Sequence, residues 1–222
     1  MTIPFGPILA SAHVRHGTAL EARLPQPRSA EELKAESDDR YLSRMSLRIF
    51  RAGLRHRLVD AKWPAFEEVF HGFDPRQVRA MPDEALEALL GDKRLIRHWG
   101  KLKSLRDNAV AMLALAAEHG GFGAWLAAWP VNDIVGLWEQ LAKRFSQMGG
   151  NSGPAFLRMV GKDTFLLTPS VTAALRHWGV AGTPPKSRKE RTLVQSAFNA
   201  WAAETGRPLC HLSLFLAASV ED

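Results

Sequence analysis

A glycine turn preceded by two basic residues is the segment of this sequence best suited to bind an anion. Lys143 and Arg144 end an amphipathic helical pattern, and the turn Gly149-Gly150-Asn151-Ser152 follows a few residues later. Glycines let the backbone approach a phosphate closely, and the free N–H groups at the start of the next helix point towards it. The pattern predicts two helices joined by a phosphate-binding hairpin over residues 146–153. In the alternative interpretation, Asn151 or Ser152 only caps the second helix.

Side chains that could transfer protons or stabilise charge are few and dispersed. Asp163 is the nearest carboxylate after the hairpin; it is the catalytic candidate, with a loop-capping role as the alternative. His71 and His98 lie in short motifs, where histidine more often makes a structural hydrogen bond. The eight histidines show no metal-ligand spacing, and no Ser-His-Asp elbow, phosphate loop or dinucleotide fingerprint is present. We therefore predict no metal site and no cofactor.

The charge balance favours a polyanionic partner. The sequence contains 29 Lys and Arg against 23 Asp and Glu, a formal net charge of +6, and nucleic acid is the commonest polyanion. The run Lys186-Ser187-Arg188 opens a late helical pattern and is a second place where a DNA backbone could bind. The alternative for that run is an ordinary solvated face.

Cysteine content and hydropathy restrict the cellular setting. Cys210 is the only cysteine, so it forms no internal disulfide and cannot anchor a Cys-rich zinc site, which favours a reducing, cytoplasmic location. No apolar run of about 18 residues, the length of a membrane span, is present. The first residues lack the basic start of a secretory signal. We expect a monomer with no membrane partner.

An all-α fold must position these residues. Capping boxes at Ser29–Glu32 and Ser187–Glu190 predict helix starts. Helical periodicity runs from Asp39 to Leu58 with an interruption at Gly53, and again over residues 102–118. No alternating strand pattern is present, so we expect about ten helices with short connections.

The predicted domain organisation is simple. Residues 1–28 are rich in Pro, Gly and Arg and show no sustained period, which predicts an irregular N-terminal arm. Residues 29–222 are predicted to form a single helical domain.

Four short motifs, in order along the chain, resemble the DNA-3-methyladenine glycosylase I family. They are, from the N-terminal end, Ala52-Gly53-Leu54, Phe70-His-Gly-Phe-Asp-Pro75, Ile96-Arg-His-Trp-Gly-Lys-Leu102 with Asn108-Ala109, and the hairpin Met148-Gly-Gly-Asn-Ser152. The likeness runs from about Asp39 to Val160. The remainder is similar to the wider helix–hairpin–helix glycosylase superfamily.

The resemblance implies a helix–hairpin–helix DNA glycosylase fold, with two helical lobes around a cleft that faces double-stranded DNA. Such enzymes turn a damaged nucleotide out of the duplex and cleave its N-glycosidic bond, because a stacked base cannot be attacked. By position, Arg48, Phe50, Gly53, Leu54 and His56 would form the base pocket. Leu54 would be the wedge that enters the gap in the duplex, with a core leucine as the alternative.

Several positions depart from the family pattern. Arg48 stands where the family uses a pocket carboxylate, His56 where it has a pocket tryptophan, and Thr168 where many superfamily relatives have an aspartate. The family's structural zinc cluster has no counterpart, since Cys210 is alone. Arg48 would repel a cationic methylated base by roughly 4 kcal/mol at about 4 Å and an effective dielectric near 20, unless it points to solvent or to a phosphate.

The resulting hypothesis is a monofunctional DNA N-glycosylase that excises an alkylated, 3-methyladenine-like purine in base excision repair. Water would attack the sugar without a covalent lysine intermediate, because the hairpin turn carries no lysine where lyase-type relatives have one. The alternative is a non-catalytic duplex-DNA-binding module of the same fold. A third interpretation is a basic surface that binds an acidic protein.

Overall fold

A computed structural model describes residues 3–221, and these residues are helical and contain no strand. The α-helices of this described part are α1 (Gly6–His16), α2 (Ala30–Ala35), α3 (Asp38–Arg51), α4 (His56–Val69), α5 (Pro75–Ala80), α6 (Asp83–Ala88), α7 (Trp99–His119), α8 (Phe122–Ala128), α9 (Ile134–Arg144), α10 (Ser152–Val160), α11 (Pro169–His177), α12 (Arg188–Thr205) and α13 (Leu209–Ala218). Short 3-10 helices cover Gly17–Arg23, His71–Phe73, Leu89–Gly91 and Val131–Asp133. The all-α prediction is confirmed.

The chain divides into two compact units. Unit 1 comprises the chain up to Arg28, Pro130–Leu137, and the chain from Gly161 onwards; unit 2 comprises Ser29–Trp129 and Trp138–Val160. Residues 29–222 were expected to form a single domain, whereas this division places parts of that range in both units. Helical periodicity shows which face of a helix is apolar, but it does not show which helices share a core.

An aromatic stack forms the centre of unit 2. The Trp63 ring lies nearly parallel to Phe66 and Phe73, with centroids 4.9 and 5.3 Å apart, and Phe70 lies 5.6 Å from Phe73. Phe50 packs on Phe66 at 4.6 Å. Each such pair adds about 0.5–1.5 kcal/mol to the stabilisation from buried area. The phenylalanines of the Phe70–Pro75 motif therefore serve the core of this unit.

The N-terminal residues belong to the core of unit 1, so the prediction of an irregular arm is wrong. Phe5 and Ile8 are fully buried, and the Phe5 ring packs on Trp201 at a centroid distance of 5.4 Å. The indole N–H of Trp201 donates to the carbonyl of Ile3 at 2.8 Å. These partners lie almost 200 positions away in sequence, which is why the local pattern did not reveal the helix. Residues 1 and 2, which that prediction also covered, lie outside the described part.

The predicted helix starts are confirmed. Ser29 and Ser187 each accept a hydrogen bond from the backbone three residues later, while Glu32 and Glu190 accept from the capping serine's own backbone. The interruption at Gly53 is confirmed as well, since α3 ends at Arg51 and α4 begins at His56.

Over residues 3–221, no single helix is both long and apolar enough to cross a membrane. The bent pair α7 and α8 passes that test jointly, by length and composition only.

Candidate functional site

The predicted hairpin is present between α9 and α10 of unit 2. Its turn, Phe145–Asn151, is anchored by the buried side chains of Phe145 and Met148. Gly149 and Gly150 lie at the exposed tip, and no atom comes within 4 Å of the place where a β-carbon would be on either residue. Gly150 has a φ of +57°, a conformation that favours glycine. The tip is therefore open to a close ligand along its backbone.

Asn108 holds this turn in place from α7. Its side-chain oxygen accepts from the Ser146 N–H at 2.7 Å, and its side-chain amide donates to the Ser146 carbonyl at 3.1 Å. Asn108 is fully buried, so loss of either bond would leave a buried polar group unpaired. The turn thus has a fixed backbone rather than a free loop.

The charged flank and the helix start have the polarity expected of an anion site. Lys143 and Arg144 are exposed, and the Arg144 Nε donates to Gln140 within the same helix at 3.1 Å. The Asn151 carbonyl accepts from the Ala155 N–H at 3.1 Å, which places Asn151 at the backbone start of α10. Ser152 is buried. The assignment of these residues to DNA binding remains a prediction.

A second exposed turn, Ala52–Arg55, joins α3 to α4. Gly53 has a φ of +75°, and Leu54 is 39% exposed. The core role considered for Leu54 therefore does not apply. Leu58, one helical turn further on, is 54% exposed. Leu54, which directly follows Gly53, is the one of the two that is suited to insert between bases.

Lys101 holds the Ala52–Arg55 turn, also from α7. Its Nζ donates to the Ala52 carbonyl at 2.7 Å and lies 3.4 Å from the Phe50 carbonyl. The ammonium thereby occupies the C-terminal end of α3, where the helix dipole is negative. His98, in the same motif, accepts from the Lys101 N–H and caps α7, so the structural role of His98 is the one observed.

Helix α7 connects the two turns. Lys101 and Asn108 are seven residues apart, which is about two helical turns or roughly 10 Å on one face. One face of α7 therefore fixes both the Ala52–Arg55 turn and the hairpin turn. Sequence reasoning assigned no function to Lys101 or Asn108, although both lie in the quoted motifs. Their hydrogen-bond partners are distant in sequence and could not be identified from it.

The five predicted pocket residues have different environments. Gly53, Leu54 and His56 are exposed, with His56 as the first residue of α4. Phe50 is fully buried, so it supports the turn from beneath and has no open face for a base. This placement contradicts a direct pocket contact by Phe50 and follows from its packing in the aromatic stack.

Arg48 combines burial with a lack of counter-charge. Its Nε is buried without a hydrogen-bond partner. Burial and the repulsion of Arg51 lower the pKa of Arg48, and burial and the repulsion of Arg48 lower the pKa of Lys101. Arg51 itself is paired with Asp60 at 2.8 Å. The region beside the Ala52–Arg55 turn is therefore electropositive.

The candidate acid and the aspartate-equivalent position lie in unit 1. Both carboxylate oxygens of Asp163 accept backbone N–H groups at the start of α13, from Leu209 at 2.8 Å and Cys210 at 2.9 Å. These contacts match the capping alternative for Asp163. Thr168 caps α11 by accepting from the Val171 N–H at 3.2 Å, so it stands at the head of the helix as predicted.

The other predicted DNA-binding residues, Lys186 and Arg188, belong to unit 1. Lys186 and Arg188 are exposed at the start of α12. Among residues 3–221, no group of three His, Cys, Asp or Glu side chains is arranged to hold a metal ion.

Comparison with known proteins assigns the chain to a family. The family model described as methyladenine glycosylase matches residues 33–148, more than half of the chain. The chain belongs to the methyladenine glycosylase family.

DNA-3-methyladenine glycosylase 1 of Escherichia coli (strain K12) is 41% identical over 64 residues, which cover 29% of this chain and 34% of that protein. The DNA-3-methyladenine glycosylase of Haemophilus influenzae is 35% identical over 91 residues, or 39% of this chain and 49% of that protein. The chain thus matches less than half the length of these curated relatives.

The fold likeness extends beyond the methyladenine glycosylase segment. The structure of Methanocaldococcus jannaschii 8-oxoguanine glycosylase/lyase in complex with a 15mer DNA has a TM-score of 0.53 at 16% identity, covering 94% of this chain and 93% of that one. This confirms the helix–hairpin–helix glycosylase fold predicted from the motifs. The family segment ends at Met148, so it contains α7 and the Ala52–Arg55 turn, whereas Asp163 and Thr168 lie beyond it.

Proposed function

We propose that this protein is a monofunctional DNA glycosylase that excises an alkylated purine of the 3-methyladenine type from double-stranded DNA, as a step of base excision repair. The observation that carries the proposal is the double role of α7, which fixes an open glycine hairpin through Asn108 and an exposed leucine turn through Lys101. The methyladenine glycosylase family model covers this segment, and relatives named as DNA-3-methyladenine glycosylases match 64 and 91 residues of this chain, which supports the assignment of the reaction.

Binding would use the two turns for different tasks. The hairpin tip, with Lys143 and Arg144 beside it, binds a backbone phosphate through exposed N–H groups. Leu54 enters the duplex and occupies the place of the extruded nucleotide. Unstacking costs a few kcal/mol, and a leucine of which only 39% is exposed is already held in position by its turn.

The chemical step is hydrolysis at the deoxyribose C1′. The water oxygen bonds to C1′ while the C1′–N9 bond breaks, its electron pair leaves with the base, and a proton is released to solvent. A cationic methylated base accepts that electron pair readily. The reaction therefore places little demand on a carboxylate at the Thr168 position, where the structure has a neutral helix cap.

A second candidate function, a non-catalytic duplex-DNA-binding module, is favoured by Arg48. A half-buried guanidinium whose Nε lacks a partner opposes a cationic base but does not oppose a phosphate. The same observation is compatible with an enzyme for a neutral damaged base.

Base release distinguishes these candidates. Purified protein is incubated with methylated duplex DNA, and the free bases are separated by chromatography. An alkylpurine released above the protein-free control supports the enzyme. No release, combined with salt-dependent DNA binding, supports the binding module.

We further propose that the protein acts as a monomer in the cytoplasm. The single Cys210 supports a reducing compartment. Sedimentation of the pure protein with and without duplex DNA tests the monomer, and fractionation of cells tests the location.

A further inference from the structure

An open groove lies within unit 1. One part has a volume of about 870 Å³ and is lined by residues of α1, the following 3-10 helix and α13, together with Ser170 of α11. A second part of about 510 Å³ lies against α11, and both parts share Arg15, Val220 and Glu221. We call the two together the unit 1 groove. Every residue that lines it belongs to unit 1.

Three arginines and one acidic residue are the charged groups among the described residues that line the unit 1 groove. Arg15 and Arg23 line the first part, and Arg15 and Arg176 line the second. Arg23 and Arg176 are exposed and form no ion pair within the described residues. These guanidinium groups thus present uncompensated charge on both parts of the groove.

Among residues 3–221, Glu221 is the only acidic residue that lines the groove. It pairs with Arg15 at 3.0 Å, although its own side chain is 89% exposed. An exposed pair of this kind is weak, so a phosphate oxygen could replace the carboxylate on Arg15. The contact shows that Arg15 is oriented to bind an anionic oxygen.

Apolar side chains line the first part of the groove together with these cations. They are Leu20, Leu214, Ala217 and Ala218. A lining that mixes carbon surface with cations suits the sugars and phosphates of a nucleic-acid strand. An acidic peptide would match the charges but would leave the carbon surface without a specific partner.

We propose that the unit 1 groove binds the phosphate backbone of a DNA strand through Arg15, Arg23 and Arg176. The site is additional to the hairpin and rests on the proposed function only in that DNA is the ligand. Arginine is suited to this task because its planar guanidinium donates two parallel hydrogen bonds to a phosphate.

The experiment measures the affinity for a short, undamaged, fluorescently labelled duplex over a series of salt concentrations. In the double variant Arg23→Gln/Arg176→Gln, two phosphate contacts are lost, and the slope of log K against log salt should become shallower by about 1.8. Glu221→Gln should bind several-fold more tightly than the unmodified protein, because it removes the competing carboxylate. The matched control is Arg79→Gln, an exposed arginine of α5 in unit 2 that lines neither part of the groove; its slope should stay at the wild-type value.

Three results would overturn the proposal. The first is a double variant that keeps the wild-type slope but has a lower melting temperature. Arg176 would then act only as a basic residue at the end of α11. The second is an equal change of slope for Arg79→Gln, which would indicate a general effect of net charge. The third is arginine-dependent binding of polyglutamate with unchanged DNA binding, which would indicate an acidic protein partner. Because the duplex carries no lesion, a failure of the groove is distinguishable from a failure of base release.

Discussion

Arg48 is a positive charge without a local counter-charge beside the Ala52–Arg55 turn. Its Nε is buried and unpaired. The pKa of Lys101 is lowered mainly by burial and also by the charge of Arg48. We therefore propose that Arg48 sets the specificity for cationic or neutral bases.

Replacement of Arg48 by glutamate should increase excision of cationic 3-methyladenine. Removal of the repulsion and addition of an attraction are expected to raise kcat/KM at least tenfold, which corresponds to about 1.4 kcal/mol. The measurement is single-turnover release of 3-methyladenine by the Arg48→Glu, Arg48→Gln and unmodified proteins. The glutamine variant should lie between the other two. Equal rates for all three would show that Arg48 does not face the base.

Leu54 should matter only when the DNA is stacked. Leu54→Ala is expected to lower kcat/KM on methylated duplex about tenfold, because the gap left by the extruded nucleotide is no longer filled. On methylated single-stranded DNA the loss should be small. Leu58→Ala, a comparably exposed leucine, is the matched control. A similar loss on both substrates would indicate a role in stability instead of in extrusion.

At the scale of elements, α7 is the part of the protein that organises the candidate site. Asn108 fixes the hairpin turn across 38 positions of sequence, and Lys101 fixes the Ala52–Arg55 turn across 49. A rigid helix that carries both anchors keeps the hairpin turn and the Ala52–Arg55 turn, the proposed phosphate site and the proposed wedge, at a constant separation. This separation is what a catalytic geometry requires.

Asn108→Asp should weaken the hairpin while preserving the shape of the side chain. The aspartate still accepts from the Ser146 N–H, but it cannot donate to the Ser146 carbonyl and repels it instead. We expect the free energy of unfolding to fall by about 1–3 kcal/mol, and the affinity for duplex DNA to fall with it. Chemical denaturation and a binding titration of the same preparation measure both quantities. Unchanged affinity in a destabilised variant would separate the turn from DNA binding.

The elements also show what sequence alone could predict. The helix starts at Ser29 and Ser187 depend on a capping side chain, and the break at Gly53 depends on a left-handed glycine. Both are local features, and they were predicted. The burial of α1 depends on Trp201, almost 200 positions away, and was missed. The hairpin was located by its glycines, but its anchor Asn108 was not, because a long-range hydrogen bond leaves no periodic pattern in sequence. Phe50 was assigned to the pocket by position, whereas packing places it in the core.

At the scale of the whole molecule, the net charge of +6 includes exposed cations on both units. Unit 2 carries Lys143 and Arg144 beside the hairpin, and unit 1 carries the arginines of its groove. We propose that each set neutralises phosphates of bound DNA. Affinity for DNA should therefore depend on salt more steeply than a single phosphate site would require.

The contributions of the two units should be additive. Lys143→Gln/Arg144→Gln is expected to make the log K against log salt slope shallower by about 1.8. When it is combined with Arg23→Gln/Arg176→Gln, the two changes should sum, as they do for sites without shared partners. A combined change no larger than that of the hairpin variant alone would show that the unit 1 groove contributes no phosphate contact.

The central claim is that this chain cleaves the N-glycosidic bond of an alkylated purine, and direct measurement of both products tests it most simply. Methylated duplex DNA is incubated with the unmodified protein, and free bases and abasic sites are counted in the same sample. The account predicts free 3-methyladenine and abasic sites in equal amounts, with no strand cleavage and no adduct trapped by borohydride. Intact DNA after saturating, salt-dependent binding would contradict the claim and would favour the DNA-binding module or an enzyme for a neutral damaged base.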